Sequence, residues 1–294
     1  MTAPLVSVLT PSFNQGRWLK DNLGSVARQT YPSVEHVVAD GGSTDGTLEV
    51  LRAARPAVRW ASEPDRGQSH ALNKAFRHSR GEIIGWLNSD DAYFDRHAVE
   101  AAVATFERHP DAAVVYGHAA LVNAVGLILH MIWVPRFSLR LLRTHNFIIQ
   151  PAAFVRRSAI ERGFVDEAYD YAMDRELWLR LAAGHPFVRA DRVLAIDRHH
   201  PGRKAYLRDD LRRLDTDRLV ATYRVPDGRA AAVRRKALKI AFRGAGLGLT
   251  GQASGELAFD RLLDGRARLY ARQAVLPRAA MPDGALGSAS GPEP

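Results

Sequence analysis

The chain of 294 residues is 46% apolar and 25% charged, so it can bury a full hydrophobic core and is neither fibrous nor broadly disordered. Its formal net charge of +9 indicates an anionic partner, such as a nucleotide, a phospholipid surface or a nucleic acid. Because the sequence contains no cysteine, disulfides, Cys-ligated zinc sites and thiol nucleophiles are excluded.

Strand-like and helix-like stretches alternate through the first third of the chain, which is typical of parallel βα units. Short β-branched runs predict the strands, and apolar residues at helical spacing predict the helices between them. In chain order, this pattern predicts strands at 5–10, 36–39, 58–60, 83–87, 113–116, 127–134 and near 193, and helices at 18–27, 47–54, 69–76, 98–106 and 175–183. We therefore expect an α/β fold with a Rossmann-like, mostly parallel central sheet flanked by helices.

The composition changes towards the end of the chain. Beyond Pro226 the sequence is rich in Ala, Arg and Leu, and beyond Pro277 it is rich in Gly, Pro, Ala and Ser. We therefore expect a main domain over residues 1–225, a helical basic extension over residues 226–276 and a disordered tail over residues 277–294.

No segment is predicted to cross a membrane. The longest apolar run, residues 127–134, is interrupted by His130 and is far shorter than the roughly 18 residues that a span needs. The N-terminus enters a strand-like pattern after Pro4, without the basic segment and long apolar core of a signal peptide. The simplest prediction is a cytoplasmic protein, with at most peripheral contact at the inner face of a membrane.

Polar clusters follow four of the predicted strands, at residues 11–14, 40–45, 65–68 and 88–91. In open parallel sheets, ligands bind beyond the carboxyl ends of the strands. A single cluster of this kind is ordinary turn chemistry, because polar residues and glycine dominate loops. Four in succession along one edge of a sheet indicate a binding site.

The cluster at residues 88–91 ends in two adjacent carboxylates, Asp90 and Asp91. They would repel each other unless a cation or a helix N-terminus lies beside them. Asp95 is better placed to cap the next helix, which leaves Asp90 and Asp91 for another task. Oxygen ligands suit Mg²⁺ or Mn²⁺, which typically share their shell with phosphates and water. This cluster therefore suggests a nucleoside diphosphate as ligand.

Four segments, PSFNQGRWLKDNLGSVARQTYP, EHVVADGGSTDGT, EPDRGQSHALNKA and GEIIGWLNSDD, resemble the family 2 glycosyltransferases in their order and spacing. These are nucleotide-sugar-dependent, inverting enzymes of the GT-A fold. The resemblance is dense over residues 5–95, thinner to about residue 205, and does not cover the last 70 or so residues.

The resemblance implies roles for individual residues in binding the nucleotide-sugar donor and a cation. The donor set consists of Ser12, Asn14, Asp40, Arg66, Gly67, Asn73, Asn88 and Ser89. The family's Asp-x-Asp motif corresponds to Asn88-Ser89-Asp90, so asparagine replaces its first acid. Asp90 is then the first choice for holding Mn²⁺ or Mg²⁺, and Asp91 is the second. Asp45 is expected to cap the following helix.

Two downstream segments match the family's catalytic parts. Asp174 aligns with the general base, although it could also simply cap the helix that begins there. Met173 replaces an acidic partner of that base, and Glu176 is the alternative base. His200 matches the histidine of the loop that closes over the diphosphate, and its imidazole could complete the metal shell or touch the leaving phosphate. Arg198, Arg203 and Lys204 add positive charge in the same stretch.

The resemblance implies a metal-dependent inverting transfer of a sugar from a nucleoside-diphosphate sugar to a hydroxyl of a glycan or lipid-linked acceptor. A nucleotidyltransferase is a weaker alternative, because the loop after the first strand lacks a glycine-rich, basic sequence. A catalytically weakened relative is a further alternative, which Asn88 and Met173 favour. No nucleic-acid partner is expected, because the arginines are spread along the chain. The basic amphipathic stretch at residues 230–243 could contact an anionic membrane.

Overall fold

The structure is a computed structural model that describes residues 3–204 and 209–249, with side chains described as far as residue 238. The predicted disordered tail at residues 277–294 lies outside the described residues, as does the second half of the predicted basic extension. The division of the chain into these domains stays a prediction.

The first half of the chain forms the predicted parallel layer of βα units. Its strands and helices are β1 (Val6–Ser12), α1 (Gly16–Ala27), β2 (Val34–Asp40), α2 (Thr47–Ala53), β3 (Arg59–Ser62), α3 (Gln68–His78) and β4 (Ile83–Trp86). The spatial order is β3-β2-β1-β4, and all three of these pairings are parallel. In this register Ser12 lies opposite Asp40, and Asp40 lies opposite Ser62, so the polar clusters meet at one edge of the sheet.

The second half extends the same sheet with mixed pairing. Its elements are β5 (Ala92–Tyr93), α4 (Ala98–Arg108), β6 (Val114–Val122), β7 (Ile128–Ile132), α5 (Leu139–Thr144), β8 (Ala153–Arg156), α6 (Met173–Leu181), β9 (Phe187–Arg198), α7 (Asp209–Tyr223) and α8 (Gly228–Leu249). Strand β8 pairs antiparallel with both β4 and β6, whereas β6 and β9 are parallel. The α/β class with helices around a central sheet is confirmed, and the sheet as a whole is mixed.

Both faces of the sheet are covered, because strands β1 and β6 are buried along their whole length. Leu9 faces the side packed by Leu72 of α3 and Leu177 of α6. The neighbouring Val8 faces the opposite side, which is packed by Val99 of α4. The alternation of the strand thus divides the core into two layers, as the period of two dictates.

Helix α7 holds the segment that leads into α6. The buried carboxylate of Asp215 accepts the backbone N–H groups of Asp170, Tyr171 and Ala172, at 2.9, 2.6 and 2.9 Å. Helix α8 follows and contacts α5 and β7. In residues 3–204 and 209–249, we find no helix whose length and apolar character would let it cross a bilayer.

Candidate functional site

A cavity of about 1230 Å³ opens beyond the carboxyl ends of β1 and β4. Its wall combines those strand ends, the start of α6, the loop after β9, and helices α7 and α8. The sequence-predicted residues on this wall are Ser12, Asn88, Ser89, Asp90, Asp91 and Asp174.

Asp90 and His200 meet beside this cavity. The Nε2 atom of His200 lies 3.0 Å from an Oδ atom of Asp90, although the two residues are 110 positions apart. The His200 ring also lies beside the Trp18 ring, with centroids 5.2 Å apart. The sequence predicted both residues for one cation site, and the fold brings them together.

Asp91 is turned into the protein. One of its carboxylate oxygens accepts the backbone N–H of Arg198 at 3.0 Å, and the other accepts the amide of Asn88 at 3.3 Å. Burial raises the pKa of Asp91 well above its usual value, and the charges of Asp90 and Asp197 raise it further. Asp91 is therefore a less accessible cation ligand than Asp90, and its assignment stays a prediction.

A hard cation fits this pair of side chains as a partial ligand set. Within the described part of the chain, no three carboxylate or imidazole side chains converge into a complete metal site. Mg²⁺ and similar ions are usually held by one or two carboxylates together with substrate phosphates and water. Asp90 supplies one such carboxylate, and His200 adds a nitrogen ligand beside it.

Arg198 supports the loop that carries Asp90, rather than a phosphate. Its side chain is 1% exposed, and its guanidinium pairs with Asp21 at 3.0 Å and donates to the carbonyl oxygen of Asp90 at 3.0 Å. It also lies over the Trp18 ring, 4.7 Å from the centroid. The expectation that Arg198 offers its charge to phosphate is thus wrong, because these internal partners occupy it. Burial raises the pKa of Asp21 to about 6 despite the nearby Arg198 charge.

The amide of Asn88 is the centre of a hydrogen-bond network. Its Oδ1 accepts from Gln68 and from the Trp86 indole, both at 2.8 Å. Its Nδ2 donates to Gln150 at 2.8 Å and to Asp91 at 3.3 Å. A carboxylate at this position could not donate either of the last two bonds. The asparagine in place of the family's first acid therefore has a local structural reason.

Two residues at and just after the end of β1 carry buried polar atoms. Ser12 and Gln15 line the cavity, and the Ser12 Oγ and Gln15 Oε1 atoms are buried without a hydrogen-bond partner in the described structure. Phe13 lies between them on the wall and is 60% exposed. Buried polar atoms are rarely left unpaired, so Ser12 and Gln15 are suited to meet a ligand. Asn14 instead turns away, and its Oδ1 accepts the backbone N–H of Thr44 at 2.9 Å.

Asp40 and Asp45 organise the turn after β2. The Asp40 carboxylate accepts from Ser62 Oγ at 2.7 Å and from the backbone N–H and the hydroxyl of Ser43 at 2.9 and 2.5 Å. Asp45 accepts the N–H of Thr47, the first residue of α2, at 3.2 Å, but Gly46 and not Asp45 occupies the N-cap position of that helix. The geometry gives no direct support for a donor contact by Asp40, which stays a prediction.

Three further donor-binding predictions fall outside the cavity wall. Arg66 pairs at the surface with Glu167 at 2.6 Å, and its side chain is 71% exposed. Asn73 is buried and exchanges hydrogen bonds with the backbone of Val165 at 2.9 and 3.1 Å. Gly67 has a φ of 116° and precedes α3 directly. Arg66 thus forms an ion pair, Asn73 holds a neighbouring loop, and Gly67 makes a sharp turn. The geometry gives no support for donor binding by these three residues.

Asp174 lies at the start of α6 with its carboxylate on the cavity wall. Its Oδ2 accepts the side-chain amide of Asn146 at 2.8 Å. Burial raises the pKa of Asp174, and hydrogen bonds from the Arg175 backbone and from Asn146 partly oppose that rise. A carboxylate with a raised pKa at a cavity wall is suited to take a proton from a substrate hydroxyl.

Glu176 is not a substitute for Asp174. Its side chain is 2% exposed, pairs with Arg180 at 2.9 Å and accepts the Tyr223 hydroxyl at 2.7 Å. It points into the packing between α6 and α7, so the expectation of an alternative base there is wrong. Trp178 and Leu181 are buried in the core, as predicted.

Sequence reasoning missed Gln15, Asn146 and Gln150 on the cavity wall. The Oδ1 atom of Asn146 is buried without a partner in the described structure, although its Nδ2 holds Asp174. Gln150 joins the amide of Asn88 to the backbone of Trp86. Single amides in loops carry no sequence pattern, so only the fold reveals these contacts.

The chain is similar in sequence to known glycosyltransferases. It is 31% identical over 195 residues to the chondroitin synthase of Escherichia coli, a match that covers 65% of this chain and 28% of that protein. It is 33% identical over 185 residues to an uncharacterized glycosyltransferase of Mycobacterium tuberculosis, which covers 62% of this chain and 70% of that protein. The chain thus spans little more than a quarter of the length of the chondroitin synthase.

Solved structures of GT-A glycosyltransferases share the fold. S. aureus TarS in complex with UDP-GlcNAc superposes with a TM-score of 0.57 at 18% identity, over 94% of this chain and 82% of that one. A mannosyltransferase from Pyrobaculum calidifontis in complex with GDP-Man and Mn²⁺ gives a TM-score of 0.57 at 21% identity, over 91% and 81% of the two chains. The profile of Glycosyl transferase family 2 matches residues 7–164, more than half of the chain. The chain therefore belongs to glycosyltransferase family 2.

Proposed function

We propose that this chain transfers a sugar from a nucleoside-diphosphate sugar to a hydroxyl of a glycan or lipid-linked acceptor. One observation carries this proposal: the Asp90–His200 pair and the candidate base Asp174 border a single cavity, although they come from distant parts of the sequence. Family membership and the nucleotide-sugars bound by the similar structures support a donor of this class.

The donor would bind at the edge formed by β1 and β4. Ser12 and Gln15 offer buried polar atoms to the nucleoside, and the exposed Phe13 ring offers a stacking surface. Asp90 and His200 would hold the Mn²⁺ or Mg²⁺ ion, which when bound neutralises charge on the leaving diphosphate. Arg203 and Lys204 lie on the same wall, where they pair with Asp197 at 2.8 Å and with Asp170 at 2.5 Å, so a phosphate there would have to share them with these carboxylates.

Asp174 would act as the general base in a single displacement. It takes the proton of the acceptor hydroxyl while that oxygen bonds to the anomeric carbon, and the bond from this carbon to the diphosphate breaks. Attack from the face opposite the leaving group inverts the configuration. Asn146 positions the carboxylate through its bond to Oδ2. Because the pKa of Asp174 is raised, transfer should rise with pH through that pKa and then level off.

The substitution Asp174→Asn tests this mechanism. It keeps the shape of the side chain and removes its basicity, so we expect donor turnover to fall by about 100-fold or more. Binding of the nucleoside diphosphate should be retained. The assay measures release of UDP, GDP or dTDP from their sugars with Mn²⁺ and a panel of sugar acceptors. Asp111→Asn, an equal change at an exposed site away from the cavity, serves as the control.

The outcomes separate this function from a catalytically weakened relative. Equal turnover by Asp174→Asn and wild type would contradict the role of Asp174. Nucleotide binding without any turnover would favour a binding-only protein, which the buried Met173 in place of an acid also suggests.

Peripheral membrane contact through residues 230–243 stays a separate proposal. On α8 the exposed Val233 and Arg234 are free to meet a lipid surface, whereas Arg235 and Lys236 line the cavity. Sedimentation of the full chain with anionic and with neutral liposomes tests this contact. Equal recovery with both liposomes would remove it.

A further inference from the structure

Three basic side chains on the cavity wall come from α6, where Asp174 also lies, and from α8. Arg175 directly follows Asp174 on α6, and Arg235 and Lys236 come from α8. We call Arg175, Arg235 and Lys236 the cationic wall. Its members come from two separate helices. None of them belongs to the donor edge, by which we mean the ends of β1 and β4 together with Asp90 and His200, so their positive charge is not accounted for by donor binding.

The cationic wall is only partly neutralised by the protein. Arg235 lies 4.0 Å from Asp227, at the limit of an ion pair, and donates to the carbonyl oxygen of Pro226 at 3.2 Å. Lys236 has no ion-pair partner among the side chains that the structure describes. The side chains of Arg235 and Lys236 are therefore available to pair with an anionic ligand.

Arg175 lies on the cavity wall and has one unused donor atom. Its guanidinium donates to the carbonyl oxygen of Arg143 at 2.7 Å, but its Nε is buried and has no hydrogen-bond partner in the described structure. Burial lowers the pKa of Arg175, Asp174 raises it, and the nearby charge of Arg235 lowers it again. Arg175 and Arg235 are therefore close enough for their charges to repel each other, and an anion bound near both would relieve that repulsion.

The position of the wall distinguishes the acceptor from the donor. In an inverting displacement, the base and the leaving diphosphate lie on opposite sides of the anomeric carbon. Groups next to Asp174 therefore face the attacking molecule, whereas Asp90, His200 and the loop after β9 face the diphosphate.

We propose that the cationic wall binds an anionic group of the acceptor, a carboxylate or a phosphate, and so places a neighbouring hydroxyl at Asp174. This inference rests on the proposed glycosyl transfer and deepens it by naming the acceptor class. A uronic acid and a sugar phosphate both carry the required charge close to a hydroxyl.

Binding of small acceptor probes to the full-length protein tests the cationic wall. With the nucleotide site saturated by UDP and Mn²⁺, methyl glucuronide, glucose 6-phosphate and methyl glucoside are titrated separately by NMR. We expect at least one anionic probe to bind about tenfold or more tightly than the neutral glucoside, since charged hydrogen bonds are worth about 1.5–3 kcal/mol. The two anionic probes distinguish a carboxylate acceptor from a phosphate acceptor.

Variants on α8 test whether the preference for anionic probes depends on the cationic wall. The double variant Arg235→Gln/Lys236→Gln should lose the preference, whereas Arg234→Gln, an exposed change on the same helix, should keep it. Equal binding of neutral and anionic probes, or equal losses in both variants, would overturn the proposal. So would a weaker affinity for UDP in the double variant, because the wall would then serve the donor.

Failure of the proposed function gives a different result. If wild type does not bind UDP, GDP or dTDP, glycosyl transfer fails. The same titrations without nucleotide then still decide whether the cationic wall selects anions.

Discussion

The two sides of the cavity are built in contrasting ways. On the donor edge, internal hydrogen bonds hold the acidic and amide groups, as the four partners of Asn88 illustrate. On α8, Arg235 has only weak partners, and Lys236 has no ion-pair partner in the described structure. Side chains that are already held in place by hydrogen bonds suit a ligand that is the same in every reaction, such as a diphosphate. Basic side chains without strong partners suit a substrate that brings its own negative charge.

Arg198 is the strongest test of the preorganised edge. The substitution Arg198→Ala leaves Asp21 buried and removes the support under Asp90, so we expect a loss of about 3–5 kcal/mol in the free energy of unfolding. The loss of stability should be smaller at pH 5 than at pH 8. At pH 5 Asp21 binds a proton, so no unpaired charge is left buried when Arg198 is removed. Chemical denaturation at both pH values measures it.

The exposed Arg229→Ala is the matched control for this change. An Arg198→Ala protein as stable as wild type would show that the donor edge does not depend on this buried ion pair.

His36 of β2 is buried beside β1, and its burial predicts how the stability of the protein responds to acid. It contacts Thr10 of β1 at 2.9 Å, and burial lowers its pKa from 6.5 to about 3. The folded protein thus keeps His36 neutral while the unfolded chain binds a proton. Its contribution is fully present above pH 6.5 and is lost as the pH falls towards 3. At pH 5 we expect His36 to cost about 2 kcal/mol of stability relative to neutral pH.

The difference between wild type and His36→Gln, measured as unfolding free energy from pH 7.5 to 5, isolates this contribution. The variant should be less stable at neutral pH and should lose less stability on acidification. The exposed His109→Gln is the control. Parallel pH profiles for wild type and His36→Gln would refute the account of the buried histidine.

The substitution Asn146→Ala, next to Asp174, is expected to give the smallest of these effects. Because its amide holds Oδ2 of Asp174, Asn146→Ala should leave the base present but less well oriented. We expect turnover to fall about tenfold, the value of roughly one charged hydrogen bond, with unchanged binding of UDP. Steady-state rates and nucleotide affinity measure the two quantities, and a loss confined to UDP affinity would place Asn146 on the donor side instead.

The sequence predicts the parallel half of the fold and part of the site. Apolar runs and helical spacing locate β1 to β4 and their helices, but they miss β8, and β5 has only two residues, too few for a period to show. Motif spacing singles out Asp90 and Asp174, which both lie on the cavity wall, and His200, which contacts Asp90. It does not reveal the Asp21–Arg198 pair, whose members are 177 positions apart.

Hydrogen-bond partners explain the donor predictions that the geometry does not support. Asn14, Asn73 and Arg66 have the chemistry of ligand-binding residues, yet each has its contacts with neighbouring loops. Residue type alone cannot tell which partner a side chain meets. The basic residues of α8 illustrate the same point, since a helical pattern in the sequence does not show that Arg235 and Lys236 line the cavity.

Calorimetric titration of UDP, GDP and dTDP in the presence of Mn²⁺ tests the central claim most directly. If Asp90 and His200 hold a cation that grips a pyrophosphate, at least one nucleotide should release heat on binding to wild type. That heat should vanish in Asp90→Ala and without Mn²⁺, and persist in Asp111→Ala. No heat with any of the three nucleotides, or the same heat in Asp90→Ala, would contradict the account.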